Sequence, residues 1–139
     1  MRNGLLLCGI LLWAAAVQAQ TPTPVTATSG VSFDISSDHA ATNADGSAVV
    51  TSYEFRYQPG TTAGCTPVPP ANVGKPAPIA GRITVQPIAG MGALAANCLY
   101  TGVIVALGPG GEGVSPSSDP FVRVVAKVPA APGKPAVVQ

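Results

Sequence analysis

Apolar and polar residues alternate along this chain in short runs, and each run stops at a cluster of Gly, Pro, Asn, Asp or Ser. The cleanest run is Val31-Ser-Phe-Asp-Ile-Ser36, with Val31, Phe33 and Ile35 on one side and Ser32, Asp34 and Ser36 on the other. A period of two is the mark of a strand with one buried face. By the same rule Val49–Tyr57 is a strand with Tyr53, Phe55 and Tyr57 sharing a face, and Arg82–Gln86 is a strand halted by Pro87. Thr21–Thr28 is extended and Pro-punctuated, as an edge strand tolerates. Pro120–Lys127 reads as the last strand, and a short one is expected around Cys65 inside the Pro-rich stretch Gln58–Gly81.

The stretch Cys98–Pro116 organises the rest. Leu99, Thr101, Val103, Val105 and Leu107 alternate with Cys98, Tyr100, Gly102, Ile104 and Ala106, and both sets are largely apolar or small. The run is rich in β-branched residues and ends at Gly108-Pro109-Gly110, which favours a strand over a buried helix. A Gly-rich loop, Gly108–Gly113, should then lead into a further strand from Val114. No run has helical spacing. The expected fold is all-β: a seven-stranded antiparallel sandwich.

Two stretches carry a more specific pattern. Leu94, Tyr100, Ile104 and Ala106, followed by Gly111-Glu112-Gly113, resemble the F strand and F–G loop of a fibronectin type III domain. Val50-Thr-Ser-Tyr53-x-Phe55-x-Tyr57 resembles strand C of the same family. The resemblance covers roughly residues 22–127. It implies a tyrosine corner, with Leu94 marking the turn and the Tyr100 hydroxyl bonding backbone a few residues upstream. Phe33 stands where the family usually has Trp, Ala96 where it has Pro, and Gly102 where it has a large inward residue. The fold hosts many functions and implies no particular activity.

The ends differ from the middle. Arg2, the apolar run Gly4–Val17 and the small-residue site Val17-Gln18-Ala19 have the form of a cleaved signal peptide over 1–19. The run is about fourteen residues, short of the ~20 needed to span a membrane. Cys8 follows Leu7 rather than a small residue, so lipid attachment is not expected. Residues 20–127 form the domain. Val128–Gln139 is a Pro-rich tail that resembles a linker and the first residues of strand A of a following module. The expected location is secreted or periplasmic.

Charge narrows the partners. The chain has 7 basic and 6 acidic residues, and removal of Arg2 leaves six of each. Near-zero net charge argues against nucleic acid or an anionic membrane as partner. Two cysteines remain after processing, Cys65 and Cys98, and in an exported protein they read as one disulfide. Closing a loop of about 34 residues would stabilise by about 3–4 kcal/mol.

Candidate chemistry is sparse. Gly108-x-Gly110-x-x-Gly113 matches the dinucleotide fingerprint by letter, but a strand follows where a helix must supply the dipole. Asp38, Asn43, Asp45 and Gly46 fall short of a calcium loop, which needs more oxygen ligands and a bidentate Glu. His39, the single histidine, has Asp38 beside it, but sequence neighbours in a loop do not define a triad. Glu54 and Glu112 could serve as a carboxylate pair only across a cleft, and none is implied. Tyr53, Phe55 and Tyr57 could stack on sugars if exposed, and belong to the core otherwise. No catalytic residue, cofactor or metal is expected.

The favoured reading is a non-catalytic binding or spacer module contacting another envelope or extracellular protein. Its candidate partner loop is Gly108, Gly110, Gly111, Glu112 and Gly113. The alternatives are a carbohydrate-binding accessory or a small secreted hydrolase. Intact mass of the exported protein should give an N-terminus at Gln20, with ammonia lost if Gln20 cyclises. A product retaining Trp13 would contradict the cleavage site.

Overall fold

A computed structural model describes residues 20–125. The expected signal peptide at 1–19, the tail at 128–139 and the last two residues of the 120–127 strand lie outside the described residues. Eight strands follow one another: β1 (Thr23–Val25), β2 (Val31–Asp34), β3 (Ser52–Pro59), β4 (Ala71–Gly74), β5 (Arg82–Val85), β6 (Leu99–Gly108), β7 (Gly111–Val114) and β8 (Phe121–Arg123). One 3-10 turn, Met91–Ala93, interrupts the connection from β5 to β6. Among the described residues no helix is long and apolar enough to cross a membrane.

The protein is all-β, as its alternation predicts. A six-stranded sheet runs β1-β8-β6-β3-β4, with β7 also paired to β6, and β2 and β5 form a separate two-stranded sheet. Two expectations are corrected. The described residues hold eight strands rather than seven, and the large sheet is mixed, because β1 pairs with β8 in parallel (Thr23 opposite Phe121). The short strand expected around Cys65 is instead β4, and Cys65 follows a turn. Pro67, Pro69 and Pro70 deny backbone donors to the segment after Cys65, which delays a strand until Ala71.

β6 is the hub of the large sheet. It pairs antiparallel with all of β3, from Ser52 opposite Leu107 to Pro59 opposite Tyr100. Its other edge is shared: β7 covers Val105–Gly108 and β8 covers Leu99 and Tyr100. Pro116 and Pro120 split what would be one continuous strand. In the gap, serine side chains replace ladder donors and acceptors. Ile104 N–H donates to Ser115 Oγ (3.0 Å) and Gly102 N–H to Ser118 Oγ (3.0 Å). The amides of Ser115 and Ser118 return bonds to the carbonyls of Ile104 (2.9 Å) and Gly102 (2.8 Å). The amides and carbonyls of Gly102 and Ile104 are thereby paired without a strand opposite them.

The inward face of β3 supplies the core. Tyr53, Phe55 and Tyr57 are all buried, so the aromatic row is core and not an exposed stacking surface. Each such ring contributes about 1.5–3 kcal/mol by leaving water. Phe55 packs edge-on to Tyr57 and its ring lies where a Cβ on Gly102 would stand, which accounts for the glycine in place of a large inward residue. The two-stranded sheet closes the other side: Ile83 is buried against Val50 and Tyr53, and Phe33 lies 5.2 Å from the Tyr53 ring. The Tyr57 hydroxyl donates to the Ala89 carbonyl, and burial pushes its pKa up to about 12.

Two adjacent ties hold the start of β6. Cys98 is disulfide-bonded to Cys65, with Cα atoms 5.4 Å apart. The buried Tyr100 hydroxyl donates to the Thr66 carbonyl (3.1 Å) and accepts from Ala95 N–H (3.1 Å), five residues upstream. Leu94 is fully buried beside it, and its carbonyl accepts from Arg123 (3.1 Å). Tyr100→Phe leaves the Thr66 carbonyl and the Ala95 amide unpaired and should destabilise by about 1–2 kcal/mol in chemical denaturation. An unchanged midpoint would show that water satisfies both groups.

Candidate functional site

The loop from Ser36 to Val50 is built on short-range hydrogen bonds. His39 N–H donates to Ser36 and Ala41 N–H to Asp38 (both 3.0 Å), which makes consecutive turns. Asn43 and Ser47 close the tip, with Asn43 N–H bonded to the Ser47 carbonyl at 2.7 Å. The Asp45 carboxylate accepts from Ser47 N–H (2.9 Å) and Ser47 Oγ (2.7 Å), and these bonds hold its pKa below the usual carboxylate range. That turn takes up the carboxylate a calcium loop would need. No group of three or more His, Cys, Asp or Glu side chains comes together among the described residues.

The base of the loop is pinned from the core. Tyr53 Oη accepts from Ser36 N–H (3.2 Å) and lies 3.0 Å from His39 Nδ1, with the two rings stacked 5.7 Å apart. The Tyr53 hydroxyl thus meets both the Ser36 amide and the His39 ring. His39 is therefore a partly buried anchor for the loop, held by a tyrosine rather than by an acid. Nothing in the alternation marks this contact. A tyrosine first on its strand's inward face, with a histidine fourteen residues upstream, is too common a pattern to signal it.

Opposite stands the β6–β7 hairpin. The predicted Gly108–Gly113 loop is shorter than its glycines imply, because Gly108 pairs directly with Gly111 across a two-residue turn of Pro109 and Gly110. Gly111, Glu112 and Gly113 are strand residues with exposed side chains or backbone. Gly108 is required for packing: a Cβ there would run into the Val49 carbonyl. That close approach seats the hairpin against the loop. Between them lies a cleft of about 300 Å³, with Ser36, Asp38 and Asn43 on one wall and Gly108, Gly110 and Glu112 on the other.

The structure also brings Glu54 and Glu112 together, though not as an acid and a base. Arg56 donates Nη1 and Nη2 to the two oxygens of Glu112 (2.8 and 2.7 Å) and Nε to Glu54 (2.6 Å). Both carboxylates share one guanidinium, whose hydrogen bonds lower the Glu112 pKa and in turn raise the arginine's. The pairing favours the ionised form of Glu112. Arg56 was the residue that mattered here. Its place two positions from Glu54 on the outward face was visible in the sequence, while Glu112 joins it only through the pairing of β3, β6 and β7.

Because the folded pKa of Glu112 is depressed, the pair's stabilisation is present above the ordinary glutamate value of about 4.3 and is lost as pH falls through the lower folded value. The thermal midpoint of the parent relative to Glu112→Gln should therefore converge as pH is lowered from neutral to about 3, and also in high salt. A gap independent of pH and salt would mean that packing, not charge, holds the hairpin. Comparisons with protein-family models, with curated proteins and with solved structures returned no match for this chain.

Proposed function

We propose that this protein is an exported, non-catalytic binding module, resembling a fibronectin type III domain, that contacts another protein through the 36–50 loop and the β6–β7 hairpin. The observation that carries this reading is their convergence on one cleft at one end of the sheets. The cleft has a firm base, tied to the core through Tyr53 and to β3 through Arg56, and exposed polar walls. Loops carried on a rigid scaffold are the usual place for recognition. A pre-ordered loop also loses less entropy on binding.

Other observations favour protein recognition over the alternatives. Tyr53, Phe55 and Tyr57 are buried, so they offer no platform for sugar rings. His39 contacts Tyr53, and the two glutamates are tied to Arg56, so hydrolysis has no free acid–base pair among these residues. The disulfide is compatible with an oxidising compartment.

Site-specific photo-crosslinking tests the proposal. A photoreactive residue at position 45 or 110 of the mature protein should give a discrete adduct in cells, and one at position 79, on the exposed turn before β5, should not. Adducts from 79 alone would place recognition elsewhere. Adducts shifted in mass by glycan rather than protein would support the carbohydrate reading.

A further inference from the structure

Asp45 is followed by Gly46, the one Asp-Gly pair from Gln20 onward, and no Asn-Gly pair occurs there. An aspartyl carboxyl carbon can reach the amide nitrogen of the next residue and close a five-membered ring with it. A side chain on that next residue hinders the closure, and glycine has none. The other aspartates are placed otherwise. Asp34 precedes β-branched Ile35, Asp38 precedes His39, and Asp119 precedes Pro120, whose nitrogen carries no hydrogen.

The fold sets the pair at the tip of the 36–50 loop, where Asp45 and Gly46 are both exposed. Gly46 is left-handed (φ 83°), and a Cβ there would meet nothing among the described residues within 4 Å. Two contacts hold the pair back. The Gly46 amide donates to the Asn43 carbonyl (2.9 Å), which engages the proton that the nitrogen must shed. Ser47 donates N–H (2.9 Å) and Oγ–H (2.7 Å) to Oδ1 of Asp45. Bonds of that kind favour the ionised carboxylate, which is a poor electrophile.

We propose that Asp45–Gly46 is a self-modification site, at which the peptide isomerises to isoaspartate at a rate set by Ser47. The Gly46 nitrogen bonds to Cγ of the protonated carboxyl and gives up its hydrogen. The carboxyl hydroxyl departs with a proton as water, leaving a succinimide. Water then adds to the ring. Addition at Cγ breaks the new Cγ–N bond and restores aspartate. Addition at the main-chain carbonyl breaks the original C–N bond and leaves Gly46 linked through Cγ. One water is lost and one regained, so the mass is unchanged and no oxidant or reductant takes part.

The product has an additional main-chain carbon between positions 45 and 46. The bonds that close the loop span this point: Asn43 N–H to the Ser47 carbonyl (2.7 Å), the Thr42–Ala48 bridge, and Val49 N–H to the Ala41 carbonyl (3.0 Å). A longer chain between these partners puts them out of register, so isomerisation loosens one wall of the cleft. The chemistry is independent of the binding role proposed for the loop.

The test is to age the protein starting at Gln20 at neutral pH and physiological temperature. Peptide maps read by electron-driven fragmentation distinguish isoaspartate from aspartate. Isoaspartate should accumulate at position 45 ahead of Asp34, Asp38 and Asp119. Ser47→Ala should speed its formation about fivefold or more, the worth of one hydrogen bond to a charged group. The Val49 amide should exchange faster in the purified isoaspartyl form than in fresh protein. Asp45→Asn keeps Ser47 and an acceptor oxygen at position 45, and closes the same ring with loss of ammonia. It should therefore show the mass gain of deamidation at that position. No isoaspartate at 45, equal rates in the parent and Ser47→Ala, or no deamidation in Asp45→Asn would each overturn the proposal.

Discussion

Two neighbouring ties at the start of β6 hold the domain together: the Cys65–Cys98 bond and the hydrogen bond from the Tyr100 hydroxyl to the Thr66 carbonyl. Both join the Pro-rich segment after β3 to the central strand. That segment carries little regular structure between Pro59 and Ala71, so it has no ladder of its own to restrain it. The disulfide shortens the unfolded chain's range of conformations, and the tyrosine hydroxyl sets which backbone groups meet in the folded one. Without them β6 would still pair with β3. The chain around its N-terminal end would not be held against the core.

From that fixed start, register does the remaining work. Eight consecutive pairs between β3 and β6 align Phe55 with the space above Gly102, and place Arg56 beside Val103 on the opposite face. Val103 and Val105 are buried on that outer face, and across the ladder lie Arg56 and Glu54. The long aliphatic stem of an arginine can shelter such positions while its charged head stays wet. The same head binds Glu112 and so fastens β7, which forms one wall of the cleft.

The cleft is thus a consequence of packing that begins far from it. Tyr53 is a core residue by its ring and a loop anchor by its hydroxyl, which meets Ser36 and His39. The hairpin can approach the loop only because Gly108 leaves room for the Val49 carbonyl. Two non-glycine residues, Ala80 (φ 50°) and Asn97 (φ 60°), take left-handed conformations among the described residues; Ala80 does so in the two-residue turn before β5, at a cost of about 1–2 kcal/mol. That turn lets Ile79 and Arg82 exchange hydrogen bonds and leads the chain directly into β5.

Much of the fold was legible in the residues alone. Alternation located the core faces of β2 and β3 and the position of β5, and the apolar run after Cys98 identified the strand that others pair with, because a period of two survives whatever the tertiary context. Cysteine arithmetic named the disulfide, since only two cysteines lie beyond Ala19. What alternation could not say was which strands lie side by side. The parallel pairing of β1 with β8, the replacement of a strand by Ser115 and Ser118, and the shift of the expected Cys65 strand to Ala71–Gly74 depend on contacts between residues far apart in the chain. So does the meeting of Glu54, Arg56 and Glu112. Side-chain pattern records which face of each strand avoids water, and only the folded sheets decide which polar groups that leaves facing one another.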